Sequence, residues 1–158
     1  MDAGAGSTDQ KRLPGAILFM CAMNAIRSPM AEAIAKSLLP RVYIASAGVR
    51  RGERDPFVDA VLDEVGLSLG KRQPQTLDEL EDDYFDLVIT LSPEAHHRAL
   101  ELTRSSAVDV VYWPAADPSA VSGSREQVLA AYRDVRNSLE KQIRERFIGA
   151  EARPQGPG

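Results

Sequence analysis

The chain holds a single cysteine, Cys21, and an arginine, Arg27, stands six positions after it. A thiolate is a strong nucleophile. A guanidinium is a planar fork that grips two oxygens of a tetrahedral anion at once. Set at the two ends of one short stretch, Cys21-Ala22-Met23-Asn24-Ala25-Ile26-Arg27, the pair suits attack on the central atom of an oxyanion such as phosphate. Asn24 adds to that reading, because asparagine tolerates the left-handed backbone that a tight anion-binding loop needs. The same residues also fit a plainer arrangement, with the cysteine buried as a small hydrophobe and the arginine solvated at the surface. The elements on either side decide between the two.

On the upstream side, the apolar run Ala16 to Met20 predicts a buried strand. On the downstream side, Ser28-Pro29-Met30-Ala31-Glu32 reads as a helix start. Ser28 is the expected N-cap, Pro29 is preset for the first helical position, and Glu32 falls in the first turn. A loop running from a strand into a helix turns its N–H groups toward one spot on the helix axis, where the dipole favours an anion. Cys21 is expected at the floor of that spot, where donors and dipole favour the thiolate.

The segment Cys21 to Glu32 resembles the phosphate-binding loop of the low-molecular-weight protein tyrosine phosphatases, a family that includes related arsenate reductases. The likeness continues at Ala45-Ser46-Ala47-Gly48 after a second strand, at Tyr84-Phe85-Asp86-Leu87-Val88-Ile89 before a third, and at Asp117-Pro118 after a fourth. The resemblance implies hydrolysis of a phosphate monoester through a phosphocysteine, with no cofactor and no metal. Cys21 would attack phosphorus. Arg27 and the main-chain amides of Ala22, Met23, Asn24, Ala25, Ile26, Arg27 and Ser28 would stabilise the equatorial oxygens. Asp117 would protonate the leaving oxygen and then activate water, although Asp before Pro is also a common turn former. Asn24, Ser28 and Ser46 would support the loop, Ser28 by hydrogen-bonding the thiolate; Ser46 fits equally an ordinary serine in a strand-end turn. Arg72 stands in for a helper histidine of the family.

The chain also departs from the family. Ser119-Ala120 replace tyrosines after Asp-Pro, and Arg50 and Arg51 stand in a loop where an aromatic is usual. Those rings wall the cleft around a phenol, and Trp113 is the candidate substitute. The expected substrate is therefore a phosphorylated protein or a small phosphate ester, with phosphotyrosine preference left open; inorganic phosphate, sulfate or vanadate would occupy the same loop. One alternative is arsenate reduction with an external small thiol, since a lone cysteine cannot form the disulfide relay of the thioredoxin-linked branch. A non-catalytic phosphate-binding module is the other.

Composition narrows the partners. The chain has 158 residues, enough for one domain with a sizeable core, and a net charge of -4. That charge gives no reason to expect nucleic acid or an anionic membrane as partner. One cysteine excludes an internal disulfide and fits a reducing cytoplasm. Lys11-Arg12 before the apolar run imitates a short signal peptide but lacks a small-residue cleavage site, and no run reaches the ~20 residues of a membrane span. A monomer or weak dimer is expected.

Read in order, the chain predicts tails at 1–13 and 149–158 around an α/β domain at 14–148. Helices are expected over Pro29–Leu39, with a stripe of Met30, Ala33, Ile34, Ser37 and Leu38; over Pro56–Val65, with Phe57, Ala60, Val61 and Val65; from Ser92 to about Leu102; and over Arg125–Phe147. A short capped helix is expected at Thr76–Leu80. Strands are expected at Val42–Ala45, Asp86–Leu91 and Asp109–Trp113. The arginines at 50, 51 and 54 read as a solvated face or as an attraction for acidic substrates. His96 and His97 read as surface residues. Strand–helix alternation implies a four-stranded parallel sheet with helices on both faces; the resemblance implies strand order 2-1-3-4.

Overall fold

The computed structural model describes residues 13–81 and 84–149. The expected tails lie outside the described residues at 1–12 and 150–158. Strands and helices alternate: β1 (Ala16–Cys21), α1 (Arg27–Leu38), β2 (Tyr43–Gly48), α2 (Pro56–Asp63), β3 (Leu87–Thr90), α3 (Pro93–Leu100), β4 (Asp109–Tyr112) and α4 (Arg125–Ile143). All strand pairs are parallel, in the order β2-β1-β3-β4. This is the architecture expected from the sequence.

Every residue of β1 is buried, as a central strand covered on both faces requires. Side chains alternate across the sheet. Ile17, Phe19 and Cys21 join the core under α1, α2 and α4, and Leu18 and Met20 join the core under α3. The same period of two turns Ile44 and Ser46 of β2 toward α1. It turns Thr90 and Tyr112 toward α3.

Several local readings shift. In α1 all residues from Ser28 to Ala35 are buried, because the helix is covered by more than the sheet; α4 packs on it too. Ser37, expected inward, is exposed, and its hydroxyl donates to the Ile34 carbonyl. The inward face of α2 is Val58, Val61 and Leu62, one step round from the stripe expected; Val65 is 46% exposed. The second strand is longer than Val42–Ala45 and contains Ser46, so this serine is not in a turn. The long last helix is α-helical to Ile143 and then widens into a π-helical turn at Arg144–Ile148.

The caps follow local chemistry. Asp55 caps α2 through Phe57 N–H, Ser92 caps α3 through Ala95 N–H, and Ser124 with Gln127 forms a capping box on α4. Thr76 and Glu79 form another on the 3₁₀ turn Leu77–Glu79. Among the described residues, no helix is long and apolar enough to cross a membrane.

Candidate active site

Cys21 is the last residue of β1, and Arg27 is the first residue of α1. The loop between them is held from outside. The Ala22 carbonyl accepts from the N–H groups of Val49 and Arg50, and the Met23 carbonyl from Gly52 N–H. In a planar trans peptide the C=O and the next N–H point in opposite directions. Fixing the Ala22 and Met23 carbonyls toward the 49–52 segment therefore aims the N–H groups of Met23 and Asn24 away from it. Among the described residues, no N–H from Ala22 to Ser28 donates to a protein acceptor. Gly48 permits the close approach of this segment, since a Cβ there would lie 2.7 Å from Asn24 N and 2.8 Å from the Met23 carbonyl carbon.

Asn24 has the left-handed backbone expected of it, with φ 54°. Its side chain is fully buried and uses both ends. Nδ2 donates to Ser28 Oγ at 2.8 Å and to Ser46 Oγ at 2.9 Å. Oδ1 accepts from Gln75 N–H at 2.9 Å and from the Arg72 guanidinium at 2.6 Å. Ser28 Oγ lies 3.0 Å from Cys21 Sγ. Ser28 Oγ also accepts from Asn24 Nδ2, which holds the hydroxyl beside the sulfur, and a deprotonated Cys21 can only accept from it.

That placement corrects the reading of Ser28 as an N-cap. The helix begins earlier, with Ile26 in the cap position and no side-chain cap bond, so Ser28 sits inside the first turn and faces Cys21. Glu32 moves correspondingly out of the first turn. It is buried, pairing with Lys36 at 2.8 Å and Arg72 at 3.2 Å and accepting the Ser46 hydroxyl. Ser46, on β2, accepts from Asn24 Nδ2 and so ties the strand to the loop. Sequence reasoning missed Glu32 and Gln75 as parts of this network. The one available signal was the Glu32–Lys36 spacing of four on α1, which sets an acid and a base on one helix face.

Arg27 is half-buried, and its Nη1 donates to the Ala115 carbonyl at 3.1 Å. This ties the far end of the loop to the segment that follows β4, where Asp117 lies. Asp117 is a turn former: its Oδ1 accepts from Ser119 N–H at 3.0 Å and from the Ser119 hydroxyl at 2.6 Å, capping the 3₁₀ turn Pro118–Ala120. Burial pushes the Asp117 carboxyl up, but the two Ser119 donors and the nearby Arg27 charge push harder, and the net is below the usual carboxylate value. Asp117 thus lies within reach of the Arg27 field.

At the rim Arg50 and Arg51 are exposed, as the solvated-face reading expects, while Arg54 is half-buried. Arg50 pairs with Glu94 at 2.7 Å, Arg51 pairs with Glu79, and Arg54 pairs with Asp59 at 2.8 Å. Each guanidinium is matched by a carboxylate, so the loop is no free basic patch. Met23 is 39% exposed, with its sulfur 3.7 Å from Arg50 Nη1. Trp113 faces Phe147 of the π-helical turn, with ring centroids 6.5 Å apart. His97 is exposed as expected, but His96 is half-buried. Its Nδ1 meets Thr90 Oγ1 at 2.9 Å, and its ring stacks on Tyr112 at 4.7 Å.

Fold and loop together define one family. The model for low molecular weight phosphotyrosine protein phosphatase matches residues 16–152, and the chain belongs to that family. Among its curated relatives is an arsenate reductase of Halalkalibacterium halodurans, 30% identical over 129 residues, covering 81% of this chain and 91% of that one. The low molecular weight protein-tyrosine-phosphatase PtpB of Staphylococcus epidermidis is 61% identical over a shorter stretch of 33 residues, 21% of this chain and 24% of that one. Among solved structures, the tyrosine phosphatase AmsI of Erwinia amylovora superposes with a TM-score of 0.71 at 26% identity, covering 89% of this chain and 95% of that one.

Proposed function

We propose that this protein hydrolyses phosphate monoesters through a phosphocysteine on Cys21. The observation that carries the reading is the Ser28 hydroxyl, 3.0 Å from Cys21 Sγ and held there by Asn24 Nδ2, where it can donate to the thiolate form of Cys21. A buried cysteine kept only for packing needs no such donor. The thiolate attacks phosphorus in line, and the phosphoryl group passes from the ester oxygen to sulfur. The N–H groups of Ala22 to Ser28 and the free N–H groups of Arg27 take the equatorial oxygens, with donors fixed before charge develops. Asp117, protonated, gives its proton to the departing oxygen. As carboxylate it then takes a proton from the water that attacks the phosphocysteine, which returns phosphate and thiolate. Phosphate, sulfate and vanadate compete for the same donors.

Arsenate reduction is the second reading, favoured by the name of the relative that matches 81% of the chain. The same donors fit arsenate, whose attack by Cys21 forms a thiol–arsenate adduct. With one cysteine in the chain, reduction of that adduct requires an external thiol. One assay pair separates the readings. The purified chain is given an aryl phosphate, and separately arsenate with a small thiol and a thiol-disulfide recycling system. Vanadate-sensitive aryl phosphate turnover without arsenite production supports the hydrolase. Arsenite production without phosphatase turnover replaces it with the reductase.

A further inference from the structure

Trp113 is the one tryptophan of the chain, and the proposed hydrolysis does not use it. It stands one residue past β4 and four before Asp117. Two more main-chain bonds carry the chain along β3 here, from Trp113 N–H to the Thr90 carbonyl at 2.8 Å and from Ala115 N–H to the Leu91 carbonyl at 3.0 Å. The Ala115 carbonyl accepts from Arg27, and Pro118, on the far side of Asp117, is buried. Asp117 itself is exposed. Its position is therefore set by what holds residues 112–115 and Pro118.

The segment is gripped on both faces of the sheet. On the α3 side, Tyr112 stacks on His96 with ring centroids 4.7 Å apart. On the other side, Trp113 meets Phe147 at 6.5 Å with the ring planes tilted by 54°, a favourable arrangement for an aromatic pair. Phe147 comes from the π-helical turn Arg144–Ile148, which Gly149 closes by donating to the Arg144 carbonyl at a φ of 69°. The Arg146 guanidinium lies 5.9 Å from the centre of the Phe147 ring. Such widened turns are rare and recur at functional positions. Both rings pack at the margin of the core that contains Leu139 and Ile143 of α4, so the end of that helix bears directly on the strand that leads to Asp117.

We propose that Phe147 and Trp113 are positioning residues for Asp117: the π-helical end of α4 braces the segment 113–117 and so sets the distance of the carboxyl from the leaving oxygen. The proposal rests on Asp117 being the general acid. Proton transfer needs the two oxygens within hydrogen-bond reach, and a shift of about 1 Å from a remote change is enough to slow the step. The donors to the anion belong to a loop built by other elements, so a loosened brace leaves anion binding and Cys21 alone. A ring pair kept for packing alone would change stability and leave the relative rates of different esters where they were.

The test uses the full chain with Phe147→Ala, Phe147→Leu and Phe147→Tyr. The first readout is fluorescence, since Trp113 is the only indole. Phe147→Ala should shift the emission to longer wavelength as water reaches the ring, and Phe147→Tyr should keep the parent spectrum. The second readout is the ratio of kcat for an alkyl phosphate to kcat for an aryl phosphate with a good leaving group, which needs little protonation. Phe147→Ala should lower that ratio about tenfold, with Tyr restoring it. In an Asp117→Asn background the same substitution should leave the ratio unmoved, because the acid it positions is gone. Alkylation of Cys21 by iodoacetamide at the parent rate certifies that the variant's loop is intact; where Ala fails that check, Leu, which keeps the apolar bulk without the ring, carries the test. An unshifted emission, a shifted emission with the parent's ratio, or an equal drop without Asp117 overturns the proposal. A parent that hydrolyses neither ester overturns the hydrolase reading and this inference with it, whereas a parent active on both whose ratio ignores Phe147 overturns this inference alone.

Discussion

Around Cys21 the polar side chains are buried, and their partners lie far away in sequence: Asn24 meets Gln75 and Arg72, and Ser46 meets Glu32. Around Asp117 the carboxylate is exposed, and its hydrogen-bond donors both come from Ser119, two residues on. The first region is assembled by the whole fold, from β1, α1, β2 and the segment at 72–75. The second is a local turn laid beside it, joined through Arg27 and the Ala115 carbonyl. The difference matches what each side would handle in the proposed reaction. A tetrahedral anion has one shape, and donors aimed at it work best when nothing needs to rearrange. The organic part of an ester varies, and a turn of local construction can differ between relatives without disturbing the loop. Every buried side-chain nitrogen and oxygen among the described residues has a partner, so truncating a member of the Cys21 network strands another, at about 1–3 kcal/mol each.

If the two regions divide the work in this way, breaking them should give different signatures. The largest effect belongs to the sulfur. Cys21→Ser should abolish turnover while vanadate still binds, because a neutral hydroxyl is a poor nucleophile in a site built for a thiolate. Substantial multiple turnover by that variant would move the chemistry elsewhere. Arg27 comes next. Arg27→Lys should lose about two to three decades in kcat, close to Arg27→Ala, since a point charge cannot span two oxygens and also hold the Ala115 carbonyl. Recovery of most of kcat with lysine would show that charge alone suffices.

Asp117→Asn should cost roughly two to four decades with an alkyl phosphate, and less as the leaving group improves. An equal loss across a leaving-group series would make Asp117 a turn former and nothing more. The smallest effect concerns Ser119. Its donors stabilise the Asp117 carboxylate, and a general acid must carry a proton, so hydrolysis of alkyl phosphates should fall as pH rises through the Asp117 titration. Ser119→Ala removes the hydroxyl donor, raises the carboxyl's proton affinity and should move that falling limb to higher pH. A limb that stays in place, or moves down, would separate Ser119 from the chemistry.

The same contrast explains what was legible in the sequence. The Cys21–Arg27 spacing, the left-handed Asn24 and the run of strands and helices all rest on residues close in the chain, and all appear as expected. Strand order came from the family resemblance; periodicity alone does not give it. Ser-Pro is a local helix-start signal that points to Ser28 as the cap, and nothing local shows that the helix begins at Arg27. Glu32 reads locally as a first-turn residue because its partner Arg72 is forty residues away. His96 went to the surface for the same reason: Thr90 and Tyr112 reach it from two strands that only the register brings beneath α3.

The central claim, covalent phosphoryl transfer to Cys21, is tested most directly by rapid mixing with an aryl phosphate, acid quench and mass spectrometry of the intact chain and its peptides. The account predicts a burst of phenol stoichiometric with enzyme, and the mass of one phosphoryl group on the peptide containing Cys21. In Asp117→Asn that species should persist longer, because the water that resolves it has lost its base. Steady release of phenol with no phosphoryl group on Cys21, or with one on another residue, would contradict the account.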